Sequence, residues 1–364
     1  MPKHGSFTLF STAYYFIVQV YVKFSRNIYT FKTQLDMKTH RKLTGIFIFL
    51  TAFACENPKP PSASETTLVR LKESWQLWNG DWTKLEPHYA DSVVSEEPGS
   101  GSPPWRGKAA VMGHIKLFKH VFPDAKGQLQ LILVNGKRAA SIVLVTGTHE
   151  GAMNQPGGEI APTHKPLSVP VAHLVERTDS NQWISELIFL DHASLWGQLG
   201  LYPGPHRAGS KTDSASALVV LAKDDDTEKK NEDTYKKHIE YFNSRDTLAF
   251  AEGMADDLIW QELALPEDLN KKATIASFKE FWKSFSDVKL TTTSQWAAGD
   301  YVVALGVVVG TNDGDLSMMN LKATNKRLSL PYAEISKFKD GKLVANWLFY
   351  DGLGFTSQLG LGQE

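Results

Sequence analysis

Two stretches decide the fold: Thr163-His-Lys-Pro-Leu-Ser-Val-Pro-Val-Ala-His173 and Thr324-Asn-Lys-Arg-Leu-Ser-Leu-Pro-Tyr-Ala-Glu334. They hold Thr, Lys, Leu-Ser, Pro and Ala in the same order at an offset of 161, the step from 163 to 324. Working outward, Leu190-Asp191 with Gln198-Leu-Gly-Leu201 matches Tyr350-Asp351 with Gln358-Leu-Gly-Leu361, at 160. Tyr89-Ala-Asp-Ser-Val-Val-Ser-Glu-Glu97 matches Met254-Ala-Asp-Asp-Leu-Ile-Trp-Gln-Glu262, at 165, and Phe122-Pro-Asp-Ala-Lys126 matches Phe285-Ser-Asp-Val-Lys289, at 163. A constant order with a slowly drifting offset means two tandem copies of one unit.

Each copy opens with helix. Leu68, Leu71, Trp75 and Trp78 recur on one helical face, between Ser64 as N-cap and Gly80 as stop, and Tyr235, Ile239 and Phe242 repeat the pattern. A second helix follows, carrying Val111, Ile115, Phe118 and Phe122 in the first copy and Ile275, Phe278, Trp282 and Phe285 in the second. Strand signals come next: Leu129–Val134, the turn Asn135-Gly136 and Ala139–Thr146, then Leu290–Trp296, Ala298-Gly299 and Tyr301–Val309. Two further strands close each copy, with Asp340-Gly341 as the turn in the second. Helices followed by an antiparallel meander predict an α+β fold: two tandem cone-shaped α+β barrels, each a curved antiparallel sheet wrapped around helices. The expected copies span 65–201 and 232–364. The 202–231 linker is rich in Pro, Gly and Ser and then charged, with an apolar run, Ala217–Ala222, suited to docking on a sheet.

Composition narrows the function classes. Thirty-nine Lys and Arg against 40 Asp and Glu leave a formal charge of -1, so no overall field attracts nucleic acid. With 42% hydrophobic and 22% charged residues the chain is ordinary globular material rather than disordered or coiled-coil. One cysteine, Cys55, excludes a disulfide framework and any Cys-rich metal site. No phosphate-binding loop, dinucleotide glycine fingerprint, Gly-x-Ser-x-Gly elbow or His-Glu-x-x-His helix is present. His149, His164 and His192 lack metal-ligand spacing and read as loop histidines.

From Met37 the chain reads as a secretory signal over 37–54: basic Lys38, Arg41 and Lys42, an apolar run Leu43–Phe53, then Ala54-Cys55. A small residue before a cysteine resembles a bacterial lipoprotein signal, with lipid attached at Cys55, a membrane anchor through it, and 55–64 as a tether. This implies an exported protein at the periplasm or cell surface; the other reading is an ordinary signal peptide with an incidental cysteine. Residues 1–36 read as a mistaken upstream extension, and the competing reading is a membrane helix over Phe7–Val22, short for a span.

The Tyr-Ala-Asp-Ser-Val-Val strand entry, the Arg106-Gly-Lys-Ala helix start, Phe189-Leu-Asp191 with Gln-Leu-Gly-Leu201, Asp340-Gly-Lys342, Trp347-Leu-Phe-Tyr-Asp351 and Gln-Leu-Gly-Leu361 resemble the SnoaL-like polyketide (ester) cyclase branch of the nuclear-transport-factor-2-like superfamily. The resemblance implies a cone enclosing an apolar pocket. It also implies acid/base catalysis, with neither metal nor cofactor, by the aspartate near the end of the last long strand, here Asp191 and Asp351. It further implies two copies packed against each other.

Read from the residues, strand alternation puts Leu187, Phe189 and Asp191 on one face, and Trp347, Phe349 and Asp351 on one face. A carboxyl among such apolar neighbours, on the pocket side, would be desolvated and exchange protons near neutrality. The competing reading is that each aspartate caps the turn after it. Glu97 and Glu262 occupy matched positions and are candidates for a second carboxylate. His173 and Glu334 also match and are candidate proton carriers, and Trp78 is a candidate wall residue. The sequence therefore predicts either a cofactor-free cyclase, isomerase or hydrolase acting on a small apolar molecule, or a non-catalytic binder of one. One copy serving only as a scaffold is a third possibility.

Overall fold

A computed structural model describes residues 60–155, 158–211, 215–317 and 321–360. The expected signal, the lipid-bearing Cys55 and the 1–36 extension lie outside the described residues. Among the described residues no helix is long and apolar enough to cross a membrane.

The first copy opens with α1 (Ala63–Asn79). Its cap is Ser62, whose Oγ accepts from Glu65 N while the Glu65 carboxylate accepts from Ser62 N, a reciprocal capping box. Ser64, expected as the cap, instead accepts from Gly136 N and ties the helix to the first hairpin. A 3-10 turn (Trp82–His88) leads into β1 (Tyr89–Glu96), β2 (Trp105–Arg106) and α2 (Lys108–Val121). Then come β3 (Lys126–Asn135), β4 (Arg138–Thr148), the short β5 (Met153–Gln155) and β6 (Gly158–Ile160), β7 (Pro166–Arg177), β8 (Trp183–Phe189) and α3 (His192–Gln198). The connection adds β9 (Leu218–Leu221). The second copy runs α4 (Asp226–Ser244), α5 (Thr247–Glu252), β10 (Met254–Glu262), β11 (Leu269–Asn270), α6 (Lys271–Ser284), β12 (Lys289–Ala298), β13 (Tyr301–Thr311), β14 (Arg327–Lys339), β15 (Lys342–Phe349) and α7 (Gly352–Gln358).

The fold is α+β, with the strands in two large sheets, ordered β2-β1-β8-β7-β4-β3-β9 and β11-β10-β15-β14-β13-β12. Two features differ from expectation. The sheets are open rather than closed barrels. They are also mixed, because β1 runs parallel to β8 and β10 parallel to β15. Each of these strands follows a helix rather than a hairpin, so nothing forces it to run antiparallel. The last hairpin sits where its turn residues place it: Asp340 and Gly341 both have positive φ, as a two-residue hairpin loop requires. The other two loops are Gly136-Lys137 and Gly299-Asp300, one residue later than expected, with Asn135 and Ala298 paired inside the strands.

Leu218–Leu221 pairs parallel with β3, lengthening the first sheet. The charged run expected as linker is the first turn of α4, capped by Asp225, with the buried Glu228 accepting from Gly299 N. Both faces of each sheet are covered. One packs on the helices of its own copy, and the other meets the sheet of the sister copy through Leu131, Leu133, Ile142, Leu174, Phe189, Trp296, Val303, Ile335 and Phe349. Strands buried on both faces read as continuous apolar runs, which is why Ile132, Leu133 and Val134 are all fully buried.

Candidate functional site

Each copy holds a cavity between its helices and the inner face of its sheet. Inner positions alternate along the strands: Leu330, Tyr332 and Glu334 on β14, Leu348 on β15 and Tyr350 just beyond it line the second-copy cavity. Its volume is about 440 Å³, and Phe242, Trp260, Phe278 and Phe281 complete a mostly apolar wall. Three carboxyls interrupt that wall, the exposed Glu267 and, deeper, Glu262 and Glu334. Tyr235 Oη donates to Glu334 Oε2 at 2.7 Å, and Tyr350 Oη to Glu262 Oε1 at 2.5 Å. Burial pushes Glu334 up to about 7 against the opposing hydrogen bond from Tyr235, and the charge of Glu262 adds to the rise. Burial likewise raises Glu262. Tyr332, pressed over Gly306 where a Cβ would collide with its ring, is pushed up to about 12 by burial and by Glu334, so its hydroxyl stays protonated.

The first-copy cavity is smaller, about 110 Å³, and is lined by Trp75, Trp78, Phe118, Val169, Val171 and Ile188 together with His173, Glu186, Tyr89, Glu97 and His114. Its carboxylate is differently placed. Glu186 on β8 meets His173 Nε2 at 2.8 Å and accepts from Ser95 Oγ at 2.7 Å and Tyr89 Oη at 3.4 Å. Burial alone would raise Glu186, but His173, Ser95 and the more distant His114 outweigh it and hold the carboxyl below its ordinary value. A second acidic group lies at the same cavity: Glu97 is 3.4 Å from His114 Nε2 and 3.7 Å from His192 Nε2. His114 itself stacks on Trp105. Among the described residues no cluster of three or more His, Cys, Asp or Glu is arranged to hold a metal ion.

The model of the SnoaL-like polyketide cyclase family matches the sequence twice, over 66–199 and 232–359, the two stretches that build these cavities. The chain belongs to the SnoaL-like polyketide cyclase family. Among solved structures, AclR from Streptomyces galilaeus, described as a hydroxylase, is 20% identical, with 36% of this chain and 96% of that one covered and a TM-score of 0.33. A protein from Jannaschia sp. CCS1 described as SnoaL-like is 15% identical (37% and 94% covered, TM-score 0.34), and IdmH from Streptomyces antibioticus is 22% identical (36% and 99%, TM-score 0.31). Among curated proteins there is no match to the chain.

Within this SnoaL-like pair the structure does not place Asp191 and Asp351 in the cavity walls. Each is the N-cap of the short helix that follows it, and each also reaches the other copy. Asp191 accepts from Ser194 N and Ala193 N and, across the interface, from Gly352 N at 2.9 Å. Asp351 accepts from Leu353 N and, across the interface, from His192 N at 3.2 Å, and its other oxygen is 3.3 Å from His192 Nδ1. Phe189, Phe349 and Trp347 belong with them on the sheet-to-sheet interface and not on a pocket wall. The alternation itself is correct; its phase is shifted by one residue, because the sequence shows an apolar stripe on both faces and gives no reason to prefer one. Ile188, Leu190, Leu348 and Tyr350 are the inward residues.

The structure brings Glu97, His173 and Trp78 together at the first cavity and Glu262 and Glu334 at the second. Three functional groups escaped the sequence reading: Glu186, Tyr235 and Tyr332. Glu186 had a usable signal as the one acidic residue in Trp183–Phe189, 160 before Asn346. Tyr235 was absorbed into a helical stripe that also describes plain packing.

Proposed function

We propose that the second copy is a cofactor-independent acid/base site for a small apolar carbonyl compound, moving a proton to or from the carbon beside the carbonyl. The observation that carries this is Glu334: a carboxyl enclosed in an apolar cavity of about 440 Å³ and poised at about 7, so that both protonation states are accessible at neutral pH. As carboxylate it takes the carbon-bound proton; as acid it returns one. Tyr332, beside it on the same face of β14, supplies a protonated hydroxyl for the oxygen that gains charge. The apolar walls hold the substrate and exclude water, which strengthens both interactions.

The test is proton exchange. With 1-tetralone in deuterium oxide, the protein should accelerate loss of the α-proton NMR signal, and Glu334→Gln should reduce that rate at least a hundredfold while tetralone affinity, measured by Trp fluorescence, changes less than threefold. Exchange that survives the substitution would refute the assignment.

A binding role without turnover is the second reading, and the capping of α3 and α7 favours it. The aspartates that the family resemblance makes catalytic are committed to backbone amides. Tetralone binding with no exchange by the unaltered protein would select it. Export and a lipid on Cys55 belong to the same proposal and rest on Met37–Cys55; the mass of the mature chain, starting at Cys55 with a diacylglyceryl group, tests them.

A further inference from the structure

The mouth of the second-copy cavity is not built by the second copy alone. Ala264, Leu265, Pro266 and Glu267, in the loop between β10 and β11, line it, and so does Pro205 from the segment that follows the first copy. Two residues on, Arg207 grips that loop at both ends. Its Nη2 donates to the backbone oxygen of Glu262 at 3.2 Å, and its Nη1 donates to Asp268 Oδ1 at 2.7 Å. The same Glu262 oxygen accepts from Leu265 N at 2.9 Å, which closes the turn. Glu262 is thus held from outside through its carbonyl, while its carboxyl accepts from Tyr350 inside the cavity.

Arg207 is itself fixed to the first copy. Its N–H donates to Ser194 Oγ at 3.0 Å and its carbonyl accepts from Gln198 Nε2 at 3.2 Å, both on α3. The neighbouring His206 ring lies against Gly197 of the same helix, where a Cβ would collide with it. A planar guanidinium with diverging N–H groups can hold a carbonyl and a carboxylate at once, which an ammonium does less well. The Arg207 side chain is 14% exposed, so a loop that swung away would strand a charge with little water to replace its partners. In the matched loop of the first copy, Pro103-Pro104 stand just before β2, where Asp268 stands just before β11, so that place offers no carboxylate for such a grip.

We propose that Arg207 is a positioning residue for the second-copy site: by holding both ends of the Glu262–Asp268 loop it keeps the mouth in the shape that binds substrate, and so makes binding by the second copy depend on the first. This rests on the reading of that cavity as the substrate site. Arg207 stands behind the lining residues, so its effect falls on affinity and leaves proton transfer at Glu334 unchanged.

Tetralone binding and α-proton exchange by the full chain, with amide hydrogen exchange read by mass spectrometry in the absence of ligand, test this. Arg207→Ala should speed amide exchange over 262–268 at least fivefold and leave that of β14 unchanged. It should weaken tetralone at least fivefold, while the α-proton exchange rate at saturating tetralone stays within threefold. Arg207→Lys, which keeps the charge but not the fork, should fall between Arg207→Ala and the unaltered protein. Should Arg207→Ala fold poorly, Asp268→Asn removes the charge at one end and keeps an acceptor for Gln261; it should loosen the loop and weaken tetralone in the same direction, by about twofold. Loop exchange needs no ligand and affinity needs no turnover, so this proposal stands or falls whatever becomes of the Glu334 reading. Unchanged loop exchange in these variants, equal quickening of β14, or a tenfold fall in the saturated rate with affinity intact would overturn it.

Discussion

The inner face of β7 and β8 and that of β14 and β15 differ by an exchange of position. The first pairs His173 with Glu186; at the matched places the second has Glu334 and Asn346. Each face keeps one carboxylate in an apolar cavity, but on the opposite strand and, in the second copy, without a basic partner. Glu186, beside His173, is held below its ordinary value, whereas Glu334, beside the neutral Tyr235, is pushed up to about 7. Identical scaffolds therefore place a carboxylate in two protonation regimes, and the deciding factor is whether the neighbour can carry positive charge.

The comparison breaks most sharply at the first copy's His173–Glu186 contact. His173→Ala takes a hydrogen-bond donor from the buried Glu186 carboxylate, and stranding a buried charged acceptor costs about 3 kcal/mol or more, read as a lower urea midpoint. Glu334→Ala removes a group that prefers to be neutral, and no comparable charge is stranded.

Next is the pH dependence. Glu334 ionises at its ordinary value when the chain is unfolded and near 7 when folded, so between those values the folded state binds more protons. Stability is therefore lost as pH rises from about 4.5 to about 7, by about 3 kcal/mol from this group, and Glu334→Gln should remove that fall. Glu186 has the opposite sign: its contribution is present above its ordinary value and fades as pH drops through the lowered one. Denaturation curves of Glu334→Gln and Glu186→Gln across pH 3–8 should diverge accordingly.

Transplanting the pair sharpens the comparison further. Glu334→His with Asn346→Glu gives the second cavity the first copy's arrangement. The tetralone exchange proposed for the second copy should fall by about a hundredfold, or about 2.7 kcal/mol of barrier, because the new carboxylate is no longer poised near neutrality.

The smallest effect is expected at the caps. Asp351→Ala removes an N-cap, worth about 1 kcal/mol, and should leave exchange at Glu334 within threefold. A loss as large as that of Glu334→Gln would return Asp351 to the chemistry.

The duplication, the helices and the hairpins were legible because each rests on local rules: apolar spacing, the Asp340-Gly341 turn, the matched order of residues. Which face of β8 and β15 points inward was not legible. With sister sheets covering the outer face, Phe189 and Phe349 are as buried as any pocket residue, so apolar content carries no direction. The roles of Asp191 and Asp351 were obscured for a related reason: half of their partners lie about 160 residues away, on the other copy. Glu97, Glu262, His173 and Glu334 could be singled out without that knowledge, because polar residues recurring at matched places in apolar strands stand out in an internal comparison.

The crossed aspartates carry a further consequence for how the molecule comes apart. Since each aspartate holds an amide of the sister repeat as well as one of its own, parting the halves would take one donor from each carboxylate and bare the apolar sheet faces that now cover each other. Melting should accordingly be a single concerted event for both halves.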